Sequence, residues 1–449
     1  MAAEPMIHGA PWKHILKFSF PILAGAVLQQ LYTTVDTVIV GNFTGEKALA
    51  AVGTTNTLCF FLLAAAIGFS AGNGVLIAQH FGAGRMDLVR RDAVSGLIVL
   101  PGLGLFAGVT GIIFSRTAFV HFIAVPEEIL DDTLLYFRLY CAGLVFQFGY
   151  NVLAAILRSV GDSAATLYFL LFAAVLNVGL DLWFVAYLDW GVAGAARATN
   201  ISQALSMIAA GYYMHRKYPV FRWRLKEVAP DRNAVAGTLR LGWPIALQMM
   251  IVAVGVSFIQ RAVNSFGPVM TAAFTVGHRI EMYLHMPCNA LMTTLATFTG
   301  QNTGAGKMER LPQGAFQGTA LSAGFTLLLS VLIWIFAGEI PGWFALGEQA
   351  AEYCREYLNA TAFILVILSL YVPVFGVFQG TRHALVPTMV ALCALTLRVI
   401  VTWIFKDSSV FGHSIIWWNG VFGFSLGCLI TWIYYFSGLW RRNAREKEL

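Results

Sequence analysis

The chain has 449 residues, 58% of them apolar and only 12% charged. Soluble domains carry about 25% charged side chains, so this composition leaves too little polar surface for a water-soluble fold. The formal net charge of +6 raises nucleic acid as a partner, but the basic residues gather between apolar stretches, where they orient a chain in a bilayer. No nucleic-acid partner is expected.

Apolar runs of roughly 20 residues or more, each long enough for one bilayer crossing, predict twelve transmembrane helices. They fall at 17–40, 48–79, 91–114, 133–157, 163–188 and 192–215, then at 237–264, 270–300, 313–337, 353–379, 384–405 and 414–438. These runs are continuously apolar and far longer than the strands of a membrane barrel. The fold class is therefore an all-α polytopic membrane protein. A cleavable leader is not expected, because the first apolar run is long and lacks a small-residue cleavage site.

The first predicted helix opens near Phe20-Pro21-Ile22. Pro21 marks either a helix start, where its missing N–H costs nothing, or a hinge. Further along, Gln29, Tyr32, Thr33 and Asp36 recur at helical spacing, a polar stripe on an apolar rod. After the second helix comes Gln79-His-Phe-Gly-Ala-Gly-Arg-Met-Asp87. The fourth helix presents Tyr140, Gln147 and Asn151, and the fifth presents Asn177 and Asp181 one turn apart. The sixth adds Thr199 and, a turn later, Gln203.

A polar connection at 216–236 follows, with the basic residues Arg216, Lys217, Arg222, Arg224, Lys226 and Arg232. The seventh helix opens on Trp243-Pro244-Ile245, echoing the first. Where the first half has Asp36, the second reads Val256-Ser-Phe-Ile-Gln-Arg261, without an acid. The eighth helix carries His278, Arg279, Glu281 and His285, and is followed by Gln301-Asn-Thr-Gly-Ala-Gly-Lys-Met-Glu309. This nonapeptide matches the earlier one at five of nine positions, 222 residues on.

A repeat at half the chain length, with an even number of helices in each half, predicts two pseudo-symmetric six-helix lobes related as parallel repeats. The expected division is an N-lobe at 1–215, a linker at 216–236 and a C-lobe at 237–449. The odd-numbered connections are poor in basic residues and hold Glu127, Glu128, Asp131 and Asp132, so both termini are expected on the cytoplasmic side of the cell membrane.

A charge at mid-bilayer costs about 2.5–3.5 kcal/mol on insertion scales, so each buried acid needs a reason. Asp36 and Asp181, with amide and hydroxyl oxygens on neighbouring helices, suit a small hard cation such as Na+ or a shared proton. The alternative is a polar network that locks helices together, or acids paired with Arg138 and Arg197. Glu281 is expected to pair with Arg261, Arg279 or Arg398, because an unpaired buried charge is costly. His278, Glu281 and His285 share a face, but no further ligand accompanies them for a metal. Six scattered cysteines without CxxC spacing read as packing residues. Gly304-Ala-Gly-Lys307 is not a P-loop, since Gln301 and Met308 replace its first glycine and its hydroxyl residue. No ATP and no cofactor are expected, which leaves an ion gradient as the energy source.

The chain resembles the multidrug and toxic compound extrusion family, within the multidrug/oligosaccharidyl-lipid/polysaccharide exporter superfamily. The resemblance rests on Pro21 through Val35-Asp36-Thr-Val-Ile-Val-Gly41, both nonapeptides, Leu157-Arg158-Ser-Val-Gly161-Asp162, Leu176-Asn177-Val-Gly-Leu-Asp181 and Gly191-Val-Ala-Gly-Ala-Ala196 with Ala198-Thr199. It implies two lobes around an alternating cleft, export of drugs or toxic organic compounds in exchange for H+ or Na+, and a cation site at Asp36, Asn177, Asp181 and Thr199. It also places the bend of the first helix at Pro21. Some family members use an acid on the seventh helix, which this chain lacks, so coupling is expected in the N-lobe. The expected protein is a monomeric antiporter for small amphipathic or cationic molecules, not an enzyme. The alternative is a flippase for lipid-linked glycans or lipids, with Arg261, Arg279 and Arg398 meeting an anionic headgroup.

Overall fold

The computed structural model describes residues 5–222 and 229–441; Arg224 and Lys226 of the basic connection lie outside them. Among the described residues the regular structure is entirely helical. The helices are α1 (Pro11–Thr44), α2 (Glu46–Gly82), α3 (Met86–Thr117), α4 (Glu127–Ala142), α5 (Leu144–Ser159), α6 (Ser163–Asp181), α7 (Gly191–Lys217) and α8 (Arg232–Asn264). They continue as α9 (Pro268–Gly304), α10 (Arg310–Phe336), α11 (Ile340–Trp343), α12 (Glu348–Ser369), α13 (Val372–Gly380), α14 (Leu385–Phe405) and α15 (Ser414–Ser437). With α4–α5 and α12–α13 each taken as one interrupted rod, and the single turn α11 set aside, they are the twelve helices that the apolar runs predict.

By length and composition nine of the described spans suffice to cross a membrane, or ten with the bent α4–α5 pair. The others carry more polar residues: α9 is 37 residues long but includes Glu281, His278 and His285. Helices overrun the predicted ends because polar residues near an interface still complete the last turns. Glu127 and Glu128, expected in a connection, form the first turn of α4, where carboxylates favour the positive end of the helix dipole.

Compactness groups the chain into two units. Unit 1 comprises Phe20–Leu247; unit 2 comprises Met6–Ser19 together with the chain from Gln248 onward. Two helices therefore belong to both. The leading turns of α1 lie in unit 2 and the rest in unit 1, and α8 is divided the opposite way. The chain passes between units just before Pro21 and just after Pro244, and both prolines lie inside continuous helices.

Both nonapeptides fold into the same helix stop, which explains why their glycines recur. Gly84 and Gly306 have φ of 72° and 69°, the left-handed region that a side chain disfavours. Each follows a matched bond pair: Arg85 N to His80 O and Gly84 N to Phe81 O, then Lys307 N to Asn302 O and Gly306 N to Thr303 O. These bonds occupy carbonyls that a helix end otherwise leaves open.

In unit 1 the core runs along α2, α3 and α5 through the fully buried Ile77, Leu100, Phe148, Ile156 and Leu157. The leading part of α8 packs on α2 with almost no side chain between: a Cβ at Gly72 would strike the Gly242 backbone, and one at Gly68 the Ala246 backbone. Asn73 adds a bond to Thr238 (3.1 Å), and Asp231 N donates to Ser95 Oγ (2.9 Å). The α4–α5 rod bends by 44° at Gly143. There Asn200 of α7 takes the Leu139 carbonyl (2.7 Å) and fills the space that a side chain on Gly143 would need.

In unit 2 the second nonapeptide and the start of α10 hold residues 6–9 by their main chain. Met6 N donates to Gln301 Oε1 (2.8 Å), and the Met6 carbonyl accepts from Asn302 Nδ2 (3.1 Å). The carbonyls of Ile7 and Gly9 accept from Lys307 Nζ (2.8 Å) and Arg310 Nη1 (2.9 Å). Elsewhere in the unit α13 lies close on α9, since Gly376 and Gly380 leave no room for a Cβ against the α9 backbone.

Candidate cation site in unit 1

The polar stripes of α1, α4, α6 and α7 converge within unit 1. Asp181 ends α6 and is fully buried, and Asn177, one turn earlier, is 2% exposed. Asp36 of α1 is half-buried, and its carboxyl lies within direct electrostatic reach of Asp181. Tyr32 lies within reach of both acids and of Gln29 and Thr33 beside it, although Gln29 and Thr33 are themselves largely exposed. Asn177 Nδ2 donates to Thr199 Oγ1 of α7 across 3.4 Å. Tyr140 OH donates to Gln147 Oε1 (3.1 Å), a contact across the bend at Gly143, and Asn151 Nδ2 donates to the Gln147 carbonyl (2.9 Å).

The acceptors define the chemistry. Asp36 Oδ1, both carboxylate oxygens of Asp181, Asn177 Oδ1 and Gln203 Oε1 are buried with no hydrogen-bond donor among the described residues. Buried polar atoms are nearly always bonded, so the donor-free oxygens of Asp36, Asp181 and Asn177 form a set suited to a positive charge. Two adjacent carboxylates in a poorly solvated place need a proton or a cation between them. The arginines that offered a structural alternative are engaged elsewhere: Arg138 Nε donates to Ser115 Oγ (2.9 Å), and Arg197 lies over the Trp190 ring at 5.0 Å.

Tyr136 is the residue that the sequence reading missed. It sits one turn before Tyr140 on α4, is 9% exposed, and lies within electrostatic reach of Asp36 and Asp181. Its i, i+4 spacing with Tyr140 was the available signal.

Unit 2 has no counterpart to Asp36, and the expected arginine partners of Glu281 are not used. Arg261 and Arg279 are exposed. Arg398 Nε donates to Asn419 Oδ1 (2.7 Å), and its guanidinium lies 4.7 Å from the Phe424 ring centroid. Glu281 is bonded instead by His278, His285 and Tyr357. Histidines at i−3 and i+4 are local partners that need no long reach, which a rule based on fixed charge overlooks. Of the six cysteines, Cys59, Cys141, Cys288 and Cys354 are buried as packing residues, whereas Cys393 is exposed.

An all-helical polytopic chain with two sequence-related halves and a buried acidic oxygen cluster is a membrane transporter rather than an enzyme. The family model for MatE matches residues 21–183 and 244–404, and the chain belongs to that family. It is similar to the probable multidrug resistance protein YpnP of Bacillus subtilis (strain 168), with 27% identity and 98% of each chain covered. The probable multidrug resistance protein NorM of Thermotoga maritima is 24% identical over 97% of this chain and 96% of its own. The FAD transporter of Shewanella oneidensis is 25% identical over 86% of each. A crystal structure of MATE in complex with MaL6 has the same fold, with a TM-score of 0.91 at 24% identity over 99% of both chains. So has a MOP superfamily transporter from Pyrococcus furiosus, with a TM-score of 0.91 at 23% identity over 99% of this chain and 98% of that one.

Proposed function

We propose that the chain is a secondary active efflux carrier, exporting drugs or other toxic organic compounds in exchange for H+ or Na+ by alternating access. The observation that carries this reading is the group of buried, donor-free oxygens on Asp36, Asn177 and Asp181. Two carboxylates within electrostatic reach of one another in a poorly solvated place need a proton or a cation between them. A site that must catch and release an ion keeps them for the ion. The names of the similar multidrug resistance proteins support the substrate class.

In this mechanism Asp36 and Asp181 take the ion, Asn177 and Thr199 complete its oxygen shell, and Tyr32 and Tyr136 orient the acids. Ion binding drives the cycle only if the two access states bind it unequally; equal affinity shifts nothing. The carrier is proposed to act as a monomer in the cell membrane, with both termini cytoplasmic and Pro21 as the hinge of α1.

Dye export from proteoliposomes under an imposed pH or sodium gradient tests the reading. Asp36→Asn should insert normally yet reduce gradient-driven export to the level of empty vesicles; normal export by that variant would refute the proposal. The alternative of a lipid or lipid-linked glycan flippase draws on Arg261 and Arg279, which are exposed in unit 2. It would be favoured by tight binding of an anionic lipid-linked headgroup without dye export.

A further inference from the structure

Unit 2 holds a buried carboxylate that the proposed ion site does not use. Glu281 on α9 is 8% exposed. Its Oε2 accepts from Tyr357 OH on α12 and lies 3.1 Å from Nδ1 of His278, while its Oε1 lies 3.3 Å from Nε2 of His285. A carboxylate oxygen only accepts, so the ring nitrogen facing it carries the hydrogen. Nε2 of His278 and Nδ1 of His285 are therefore left to take up a proton.

The surroundings are aromatic. Phe274 stacks on His278 with an interplanar angle of 7°, and Phe274 and Trp417 both meet Tyr357 edge-on. The other charged or titratable groups nearby include the buried thiols of Cys354 on α12, packed with Val276 and Ile280, and of Cys288, one turn after His285 on α9. Arg398 of α14 is within electrostatic reach of Tyr357, and Glu356 of α12 is bonded by His413 and Trp417 of α15. Arg279 is exposed on α9. Helix α13 has no titratable side chain, and Arg310 of α10 is bonded at the far end of α9.

A fixed ion pair would use one of the neighbouring arginines, whose charge never changes. Glu281 instead has two imidazoles, the side chain whose charge changes between about pH 5 and 8. An open recess of about 610 Å³ is lined by Asn264, Gly267, Thr271, Thr275 and Leu346 at the start of α9. Thr271, Thr275 and His278 are spaced i, i+4, i+7 and share one helix face, with the Thr271 and Thr275 hydroxyls bonded to the carbonyls of Gly267 and Thr271. The side chains of His278 and His285 are 31% and 32% exposed, against 11% for Glu281.

We propose that Glu281, His278, His285 and Tyr357 form a proton-binding site of unit 2. Each proton leaves hydronium, whose O–H bond breaks to release water, and forms an N–H bond on the imidazole nitrogen that faces away from Glu281. The cluster is negative with both imidazoles neutral and positive with both protonated, so its sign follows the pH to which it is exposed. Its titration stands apart from the antiport reading; only its effect on transport rests on that reading.

The test is NMR of the full chain in nanodiscs with carbon-13 at the histidine Cε1 positions, followed from pH 5 to 8. The two signals are assigned by their loss in His278→Gln and His285→Gln. Both should move with pH, and Glu281→Gln should change the course of both. If Glu281→Gln does not fold, removing one histidine should alter the titration of the other through the shared carboxylate. Signals that stay still across the range, or that titrate identically without Glu281, overturn the proposal and leave a structural network. In Asp36→Asn the titration should persist, whereas dye export fails, so the two readings fail separately. In proteoliposomes Glu281→Gln should change the pH profile of export; an unchanged profile would remove the site from the transport cycle.

Discussion

Asp162, in the connection between α5 and α6, shows how much one side chain can hold. Its Oδ1 accepts from Ala165 N (3.2 Å), capping α6, and its Oδ2 accepts from Tyr213 OH (2.9 Å), Lys217 Nζ (2.9 Å) and Tyr218 OH (2.6 Å) at the end of α7. Burial pushes its carboxyl up, but the bonds from Lys217, Tyr218 and Tyr213 outweigh it and hold the group below the ordinary aspartate range. A depressed carboxylate adds stability above its unfolded pKa of about 3.9, and loses it as pH falls through the lower folded value. Asp162→Asn keeps a good cap but loses the charged bonds, so it should cost about 1–2 kcal/mol at pH 7. The apparent Tm difference from wild type should shrink below about pH 4; a difference independent of pH would assign the loss to packing. Such partners cannot be read from a sequence, where Asp162 is only a polar residue after a glycine. Asp36 and Asp181 are different: a charge inside an apolar run is conspicuous, and the geometry brings the two together. Tyr136 escaped notice because a tyrosine in an apolar run resembles packing, and Glu281 was assigned arginine partners because fixed charge is the usual remedy for a buried acid.

At the scale of helices, apolar length alone located the spans, because a bilayer imposes one crossing distance on all of them. Interruptions were not readable. Gly143 looks like many of the 43 glycines, yet it bends the fourth span because Asn200 occupies the place of its missing side chain. The contact between α2 and α8 depends on glycine more directly, since the Gly72 and Gly242 backbones leave no room for a methyl group. Gly72→Ala should push the helices apart and cost about 1–3 kcal/mol, the usual penalty for overpacking. Gly53→Ala, on the same helix but with nothing within 4 Å of its Cβ, is the matched control and should be neutral or slightly stabilising. The comparison is one of apparent Tm in detergent, and equal effects would mean that the close approach contributes nothing.

Over the whole molecule, the repeated nonapeptide announced a duplication, but nothing in it announced that residues 6–19 belong with the second unit and 232–247 with the first. For residues 6–9 that grouping depends on hydrogen bonds to main-chain atoms, and for 232–247 on glycine contacts with α2, neither of which leaves a periodic trace in side-chain order. The hold on residues 6–9 is open to measurement. Met6 is 3% exposed, so Met6→Cys, in a background with the exposed Cys393 replaced by serine, should react slowly with a maleimide. Arg310→Ala, which removes the bond to the Gly9 carbonyl and two long contacts at the carbonyls of Met6 and His8, should speed that reaction about tenfold for each 1.4 kcal/mol lost. An unchanged rate would show that Gln301, Asn302 and Lys307 suffice.

The clasp around Met6 also sets an order of events at the ribosome. The residues that grip positions 6–9, Gln301, Asn302, Lys307 and Arg310, are translated roughly three hundred positions later, at a pace of about 5–20 residues per second. For tens of seconds residues 6–9 lack these partners. The leading turns of α8, by contrast, emerge when α2 is already made and can settle at once. Docking of residues 6–9 therefore waits for the second nonapeptide, whereas the leading turns of α8 need not wait.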